Sequence, residues 1–160
     1  GPVSHIRHMR IFATILITLY MCTTVSAADV AAKFAARFAA GAEAYDGGRY
    51  SEAFSEWHAL AEAGDIRAQV AIANMYRFGE GRPLDFAAAA RWYKNAADAG
   101  NPIAQLNYAE MLETGRGVSR DRVAALMWYS RAARQGNAWA AVQRDRLAAK
   151  ARQHLLRGSR

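Results

Sequence analysis

Cysteine is nearly missing from this chain. The single one, Cys22, lies in an apolar stretch near the N-terminus, and no thiol follows from residue 28 onward. That excludes disulfides, thiol nucleophiles and thiolate metal sites from the body of the chain together. Its fold must therefore be held by packing. Histidine is almost as scarce. Beyond His5 and His8 there are only His58 and His154, far apart and without spaced His, Cys or carboxylate partners. No metal site and no cofactor are expected on those grounds. Glycine-bearing turns are present, but they lack the G-K-[ST] ending of a phosphate loop and do not follow strands. No apolar run reaches the ~20 residues that a membrane-spanning helix needs.

The N-terminus reads as a separate segment. Residues 1–8 look like a cloning scar or an over-extended reading frame. From Met9, Arg10 supplies a positive charge and an apolar run extends from Ile11 to about Cys22. Val25-Ser26-Ala27 then places small residues where a signal peptidase inspects the chain. A charged start, a short apolar core and an A-x-A-like end predict a signal peptide over 9–27, and hence a periplasmic or secreted protein with no stable membrane anchor after cleavage. The alternative is that the segment stays uncut as an anchor.

Acidic residues are scarce in the C-terminal part. From Arg116 onward, eleven Lys or Arg face only Asp121 and Asp145, whereas from Ala28 to Gly115 twelve acids outnumber eight bases. A basic half can serve nucleic acid, but an exported protein rarely meets it, and none is expected. An acidic protein face, an anionic lipid surface or an acidic envelope polymer fits better. A solvated helix face accounts for the same arginines.

What the chain has in quantity is self-similarity. Shifted by thirty-six residues, 66–101 aligns with 102–137 without a gap. Ala68 pairs with Ala104, Gln69 with Gln105, Met75 with Met111, Gly79 with Gly115, Gly81 with Gly117 and Asp85 with Asp121. Trp92-Tyr93 pairs with Trp128-Tyr129, and Gly100-Asn101 with Gly136-Asn137. Each unit holds two stretches of helical periodicity split by G-x-G and closed by Gly-Asn. Gly79 and Gly115 are expected to end the first helix, since glycine reaches positive φ freely. Asp85 and Asp121 are expected to cap the second, and Gly100 and Gly136 to end it. Pro83 and Pro102 are placed at helix starts. Trp92, Tyr93, Trp128 and Tyr129 are expected to fill the space between units. A single unit cannot bury its own apolar face, so units must stack. A shorter copy occupies about 35–65, and a partial unit that turns polar, as a capping helix should, occupies 138–153. A basic tail follows over 154–160. The repeat domain as a whole is placed at 28–153.

The arrangement A-Q-x6-Y-x2-G-x-G-x3-D-x3-A-x2-W-Y-x2-A-A-x2-G-N, running from Ala68 to Asn101, resembles the Sel1-like repeat, a relative of the tetratricopeptide repeat. The copy from Ala104 matches it except that Leu112 replaces the tyrosine. The resemblance implies an all-α solenoid of antiparallel helix pairs. It also implies a binding scaffold or adaptor rather than an enzyme, with a protein or peptide partner. By analogy with tetratricopeptide repeats, the first helix of each pair lines a concave groove. By position that groove would receive Glu43, Asn74, Arg77, Glu110, Glu113, Trp139 and Arg146. Trp139 is the sharpest of these, because aromatic side chains commonly anchor partners. Glu110 and Glu113 lie at i and i+3 and share a helical face. A solvated acidic patch is the expected reading of that pair, ahead of acid–base catalysis.

Two further readings remain open from sequence. One is an envelope regulator binding a signalling protein or a polysaccharide or peptidoglycan polymer, and the other an enzyme of unrecognised type. Oligomeric state is not specified. Fusing residues 9–30 to a reporter that is active only after export should give an exported, active reporter, and activity confined to the cytoplasm would overturn the localisation.

Overall fold

Glycines in the left-handed region set the rhythm of the chain. Gly79 (φ 72°) and Gly115 (φ 72°) stop two helices after thirteen residues each. Their N–H groups close onto the carbonyls of Met75 and Met111. In the computed structural model, residues 25–158 are described. They hold seven helices: α1 Ala27–Asp46, α2 Tyr50–Glu62, α3 Ile66–Phe78, α4 Phe86–Asp98, α5 Pro102–Thr114, α6 Arg122–Arg134 and α7 Ala138–Gly158. No strand occurs among the described residues.

The chain divides into two compact units, one up to Ala36 and one from Arg37. In the first, α1 opens with a reciprocal cap. The Ser26 hydroxyl accepts from the Ala28 N–H at 3.0 Å, and the Asp29 carboxylate accepts from the Ser26 N–H at 3.2 Å. The predicted signal peptide lies almost wholly outside the described residues.

In the second unit, helices that follow one another pack against one another from α2 through α7. Short turns separate the pairs, and each ends on an Asx residue that caps the next first helix. Asp65, Asn101 and Asn137 accept from N–H groups two or three residues on. Asn101 and Asn137 thus open α5 and α7 rather than closing the helices before them. Within the pairs α3–α4 and α5–α6 the linker is longer, and its last residue works twice. The Asp85 N–H donates to the Tyr76 carbonyl at 2.9 Å while its carboxylate caps Ala88 at 2.9 Å. Asp121 repeats this with Leu112 and with Val123 and Ala124. Pro102 sits in the first turn of α5. Pro83 does not start a helix. It lies within the linker, three residues before α4, because Asp85 already holds the capping position.

The core is built largely of alanine. Ala68, Ala73, Ala89, Ala96, Ala104, Ala109, Ala125 and Ala132 are fully buried, and Tyr93, Tyr129, Ile72 and Met75 are the largest fully buried side chains. Small residues at the seams let backbones approach closely. The tightest approach is made by the linkers. A β-carbon on Gly81 would lie 2.7 Å from the Tyr50 carbonyl, and one on Gly117 would collide with the Phe86 carbonyl. Each linker glycine is therefore seated on the first peptide of the preceding pair's second helix.

The C-terminal helix departs from this plan. Ala151 stands where Gly79 and Gly115 stand, so nothing stops α7, which runs through His154 to Gly158. The expected basic tail is thus helical over most of its length. Where α5 carries buried Tyr108 and Leu112, α7 carries Arg144 and Ala148, and Arg144 pairs with the adjacent Asp145 at 2.9 Å.

Gly117→Ala should destabilise the protein by about 2–4 kcal/mol, because it adds a collision to the left-handed backbone cost. Gly136→Ala also requires positive φ (89°) but meets nothing within 4 Å, so it should cost only about 1–2 kcal/mol. Urea unfolding of both variants distinguishes them, and equal losses would show that the close seat contributes nothing.

Candidate binding face

The first helices α3, α5 and α7 are joined side by side through polar groups. The Arg77 guanidinium on α3 reaches α5, where it donates to both oxygens of Glu110 at 3.1 and 3.0 Å and to Asn107 Oδ1 at 3.0 Å. One pair further on, Arg146 of α7 donates to both oxygens of Glu113 on α5 at 2.8 and 2.6 Å, and to Gln143 at 2.8 Å. These bonds occupy equivalent places thirty-six residues apart, with the charges exchanged. Arg77 corresponds to Glu113, and Glu110 to Arg146.

The buried tyrosines brace this face from behind. The Tyr93 hydroxyl donates to Asn74 Oδ1, and the Tyr129 hydroxyl to Glu113 Oε2 at 3.1 Å. Burial pushes the Tyr93 phenol up to about 12. Burial also raises Tyr129, and the Glu113 carboxylate adds to that rise. Both tyrosines are therefore neutral hydrogen-bond donors at any physiological pH.

Arg77 with Glu110 and Arg146 with Glu113 thus form two bonded clusters that share α5, extended by Asn107 and Gln143, which sequence reasoning passed over, while Asn74 is held by Tyr93. Glu110 and Glu113 are not a solvated acidic patch, since each is clamped by an arginine from a different neighbouring helix. Glu43 is exposed on α1 and joins none of these bonds. Trp139 begins α7 with its side chain 62% exposed. It borders a cleft of about 340 Å³ together with Leu106, Glu110, Thr114, Tyr129 and Arg146. Phe78, equivalent by register to Thr114, is 63% exposed at the end of α3.

The remaining aromatics pack between helices. Trp92 meets His58 edge-on at 5.8 Å, and His58 stacks on Phe54 at 5.2 Å. Trp128 meets Tyr108 at 5.7 Å and carries the Arg131 guanidinium at 4.4 Å. Trp57 donates its indole N–H to the Phe38 carbonyl at 3.0 Å. Two glutamines do related work. Gln69 and Gln105 each donate to a carbonyl near the end of the preceding helix, Ala61 and Ala97 respectively, at 3.2 Å. Among the described residues no group of three or more His, Cys, Asp or Glu side chains is placed to hold a metal ion, and no helix is long and apolar enough to cross a membrane.

A stack of antiparallel helix pairs whose first helices present one bonded face is the architecture of an α/α repeat scaffold. The sequence model of the Sel1 repeat matches residues 66–101 and 102–137. A Sel1 repeat protein from Oxalobacter formigenes superposes with a TM-score of 0.65 at 35% identity, over 70% of this chain and 87% of that one. A protective antigen present in uropathogenic Escherichia coli strains, displaying an SLR fold, superposes with a TM-score of 0.65 at 32% identity. That match covers 67% of this chain but only 24% of the E. coli protein. Helicobacter pylori cysteine-rich protein B shares the fold at 20% identity, with a TM-score of 0.54, over 56% of this chain and 68% of that one. No curated protein matches the sequence. The chain belongs to the Sel1 repeat family. Members of that family are commonly protein–protein interaction scaffolds and are generally non-catalytic.

The exchange of sign between repeats makes the pairing testable. Arg77→Glu alone sets like charges together and should destabilise the protein. Adding Glu110→Arg should recover about 1 kcal/mol of that loss, toward the upper end for partly exposed pairs. A double-mutant cycle by urea unfolding measures the coupling, and strictly additive losses would mean that the pair holds nothing together.

Proposed function

We propose that this chain is an exported scaffold that holds a protein or peptide partner on the face formed by α3, α5 and α7, the concave groove of the family. The observation that carries this reading is Trp139. An indole 62% exposed beside a cleft contributes little to the stack, and aromatic anchors of this kind dominate binding energy at interfaces. The surrounding charges support the reading. Because Arg77, Glu110, Glu113 and Arg146 satisfy one another, a partner meets hydrogen-bonding groups fixed in place, without the cost of ordering long free side chains. The same pairing weighs against catalysis, which needs a titratable group free to exchange a proton with a substrate. A polymer-binding groove would call for several exposed aromatics in a row, and Trp139 and Phe78 stand at separate places.

Export rests on the pattern of the N-terminal segment. The basic C-terminal helices would add electrostatic steering toward an acidic partner, an effect that falls with ionic strength.

A photo-reactive amino acid at position 139 should capture a discrete partner from envelope extracts, whereas one at position 91 on α4 should not. Trp139→Ala should change stability by no more than about 0.5 kcal/mol, as at other exposed positions, while abolishing the capture. Equal capture at both positions, or none at 139, would refute the groove reading.

A further inference from the structure

The over-run of α7 leaves a crevice where the inner repeats seat a linker. In α3–α4 and α5–α6, the linker glycine drops onto the start of the preceding pair's second helix. The next such seat is the Arg122–Val123 peptide at the start of α6, and the residue in register with Gly117 is Gln153. Gln153 lies within the straight continuation of α7, so no linker descends onto that seat. A crevice of about 980 Å³ opens between the overhanging helix and α6. That is the size of a small-molecule site, about 300–1,000 Å³.

Its lining has two parts. The apolar part is Val123, Leu126, Leu147 and Ala151, with Leu147 4% exposed at the floor. The polar part is basic: Arg122, Lys150, His154 and Arg157. Arg37, Arg49, Arg67, Arg77, Lys94, Arg144 and Arg146 all have carboxylate partners. Among the described residues, Arg122, Lys150 and Arg157 have none; Arg82, Arg91, Arg120 and Arg134 lack one as well, but these three share the lining of one apolar crevice. The one acid in the lining, Glu113, is occupied by Arg146 and Tyr129. Three unpaired cations around an apolar floor call for an anion attached to an apolar body.

We propose that this crevice binds a single-chain anionic amphiphile, such as a long-chain carboxylate. Its chain would lie along Leu126 and Leu147 and its head group among Arg122, Lys150 and Arg157. The crevice shares Glu113 with the cleft beside Trp139 but is otherwise lined by different residues, and it does not depend on the function proposed for that face.

The test uses dodecanoate below its micelle concentration, titrated calorimetrically into the full chain. Saturable one-to-one binding is expected. The variant Arg122→Ala/Lys150→Ala/Arg157→Ala should bind about tenfold or more weakly, as three lost charge contacts imply, with an unchanged circular dichroism spectrum. Arg134→Ala, which removes a cation from the far end of α6, should bind as the parent does. Octanoate should bind about a hundredfold more weakly, since four methylenes of burial are lost. Several results would overturn the site. They are equal binding by the triple variant, equal binding of dodecyltrimethylammonium, equal binding of acetate, or binding only to phosphatidylglycerol vesicles. Capture of an acidic peptide with no binding of dodecanoate would overturn it too, by making the crevice a protein contact.

Discussion

The close seat of a linker glycine on the preceding helix pair is the constraint on which the rest of the stack depends. Gly81 rests on the Tyr50–Ser51 peptide and Gly117 on the Phe86–Ala87 peptide, with no room for a β-carbon at either. Backbone meeting backbone fixes the spacing between consecutive pairs more tightly than side chains would. At that spacing the seams admit little more than alanine, and alanine supplies most of the fully buried positions. A few large side chains, Tyr93, Tyr129, Ile72 and Met75, fill what is left. Stability in such a stack comes from many close contacts between small groups, each weak alone and lost together if the spacing slips.

The same spacing brings the first helices within reach of a guanidinium. Arg77 and Arg146 each span from one first helix to the next and close bidentate on a carboxylate. The geometry asks for a charged pair of this reach and does not ask which helix carries which sign. The two repeats therefore solve it in opposite polarity. A buried or half-buried ion pair gains little over an apolar contact but is costly to break. Its effect is register: each first helix is fixed against its neighbour, and the face they share is stiff before any partner arrives.

Much of the framework was legible in the sequence because its demands are local. Gly79 and Gly115 answer a φ that side chains resist, and Asp85 and Asp121 answer free N–H groups at a helix start. Such needs leave a mark at one position. Asn101 and Asn137 were visible only as the close of a unit, since Gly-Asn marks an end and a beginning within two residues, and their capping of the next helix was not read. The candidate face was less legible. Glu110 and Glu113 looked like one acidic patch because helical spacing shows which residues share a face, not what the next helix brings to it. The partners lie thirty-three residues away, and the exchange of sign removes the identity by which repeats are aligned. Asn107 and Gln143 escaped for the same reason.

The C-terminal helix shows how a repeat frame ends and what that creates. Inner first helices stop because a glycine can turn left-handed, and α7 runs on because Ala151 has a β-carbon and good helix propensity. Charged Arg144 and small Ala148 stand where the inner helix buries Tyr108 and Leu112. With Ala151, Gln153 and Arg157 in the places of the two glycines and the capping aspartate, the linker is lost, and with it the backbone that would have covered the start of α6. Basic residues gather there with no acids to answer them, because the acids of this half are few and Asp121 and Asp145 are occupied by a helix cap and by Arg144. The asymmetry of charge along the chain is therefore concentrated at a structural discontinuity. Positive potential over an apolar crevice is a property of that discontinuity, where no linker is seated.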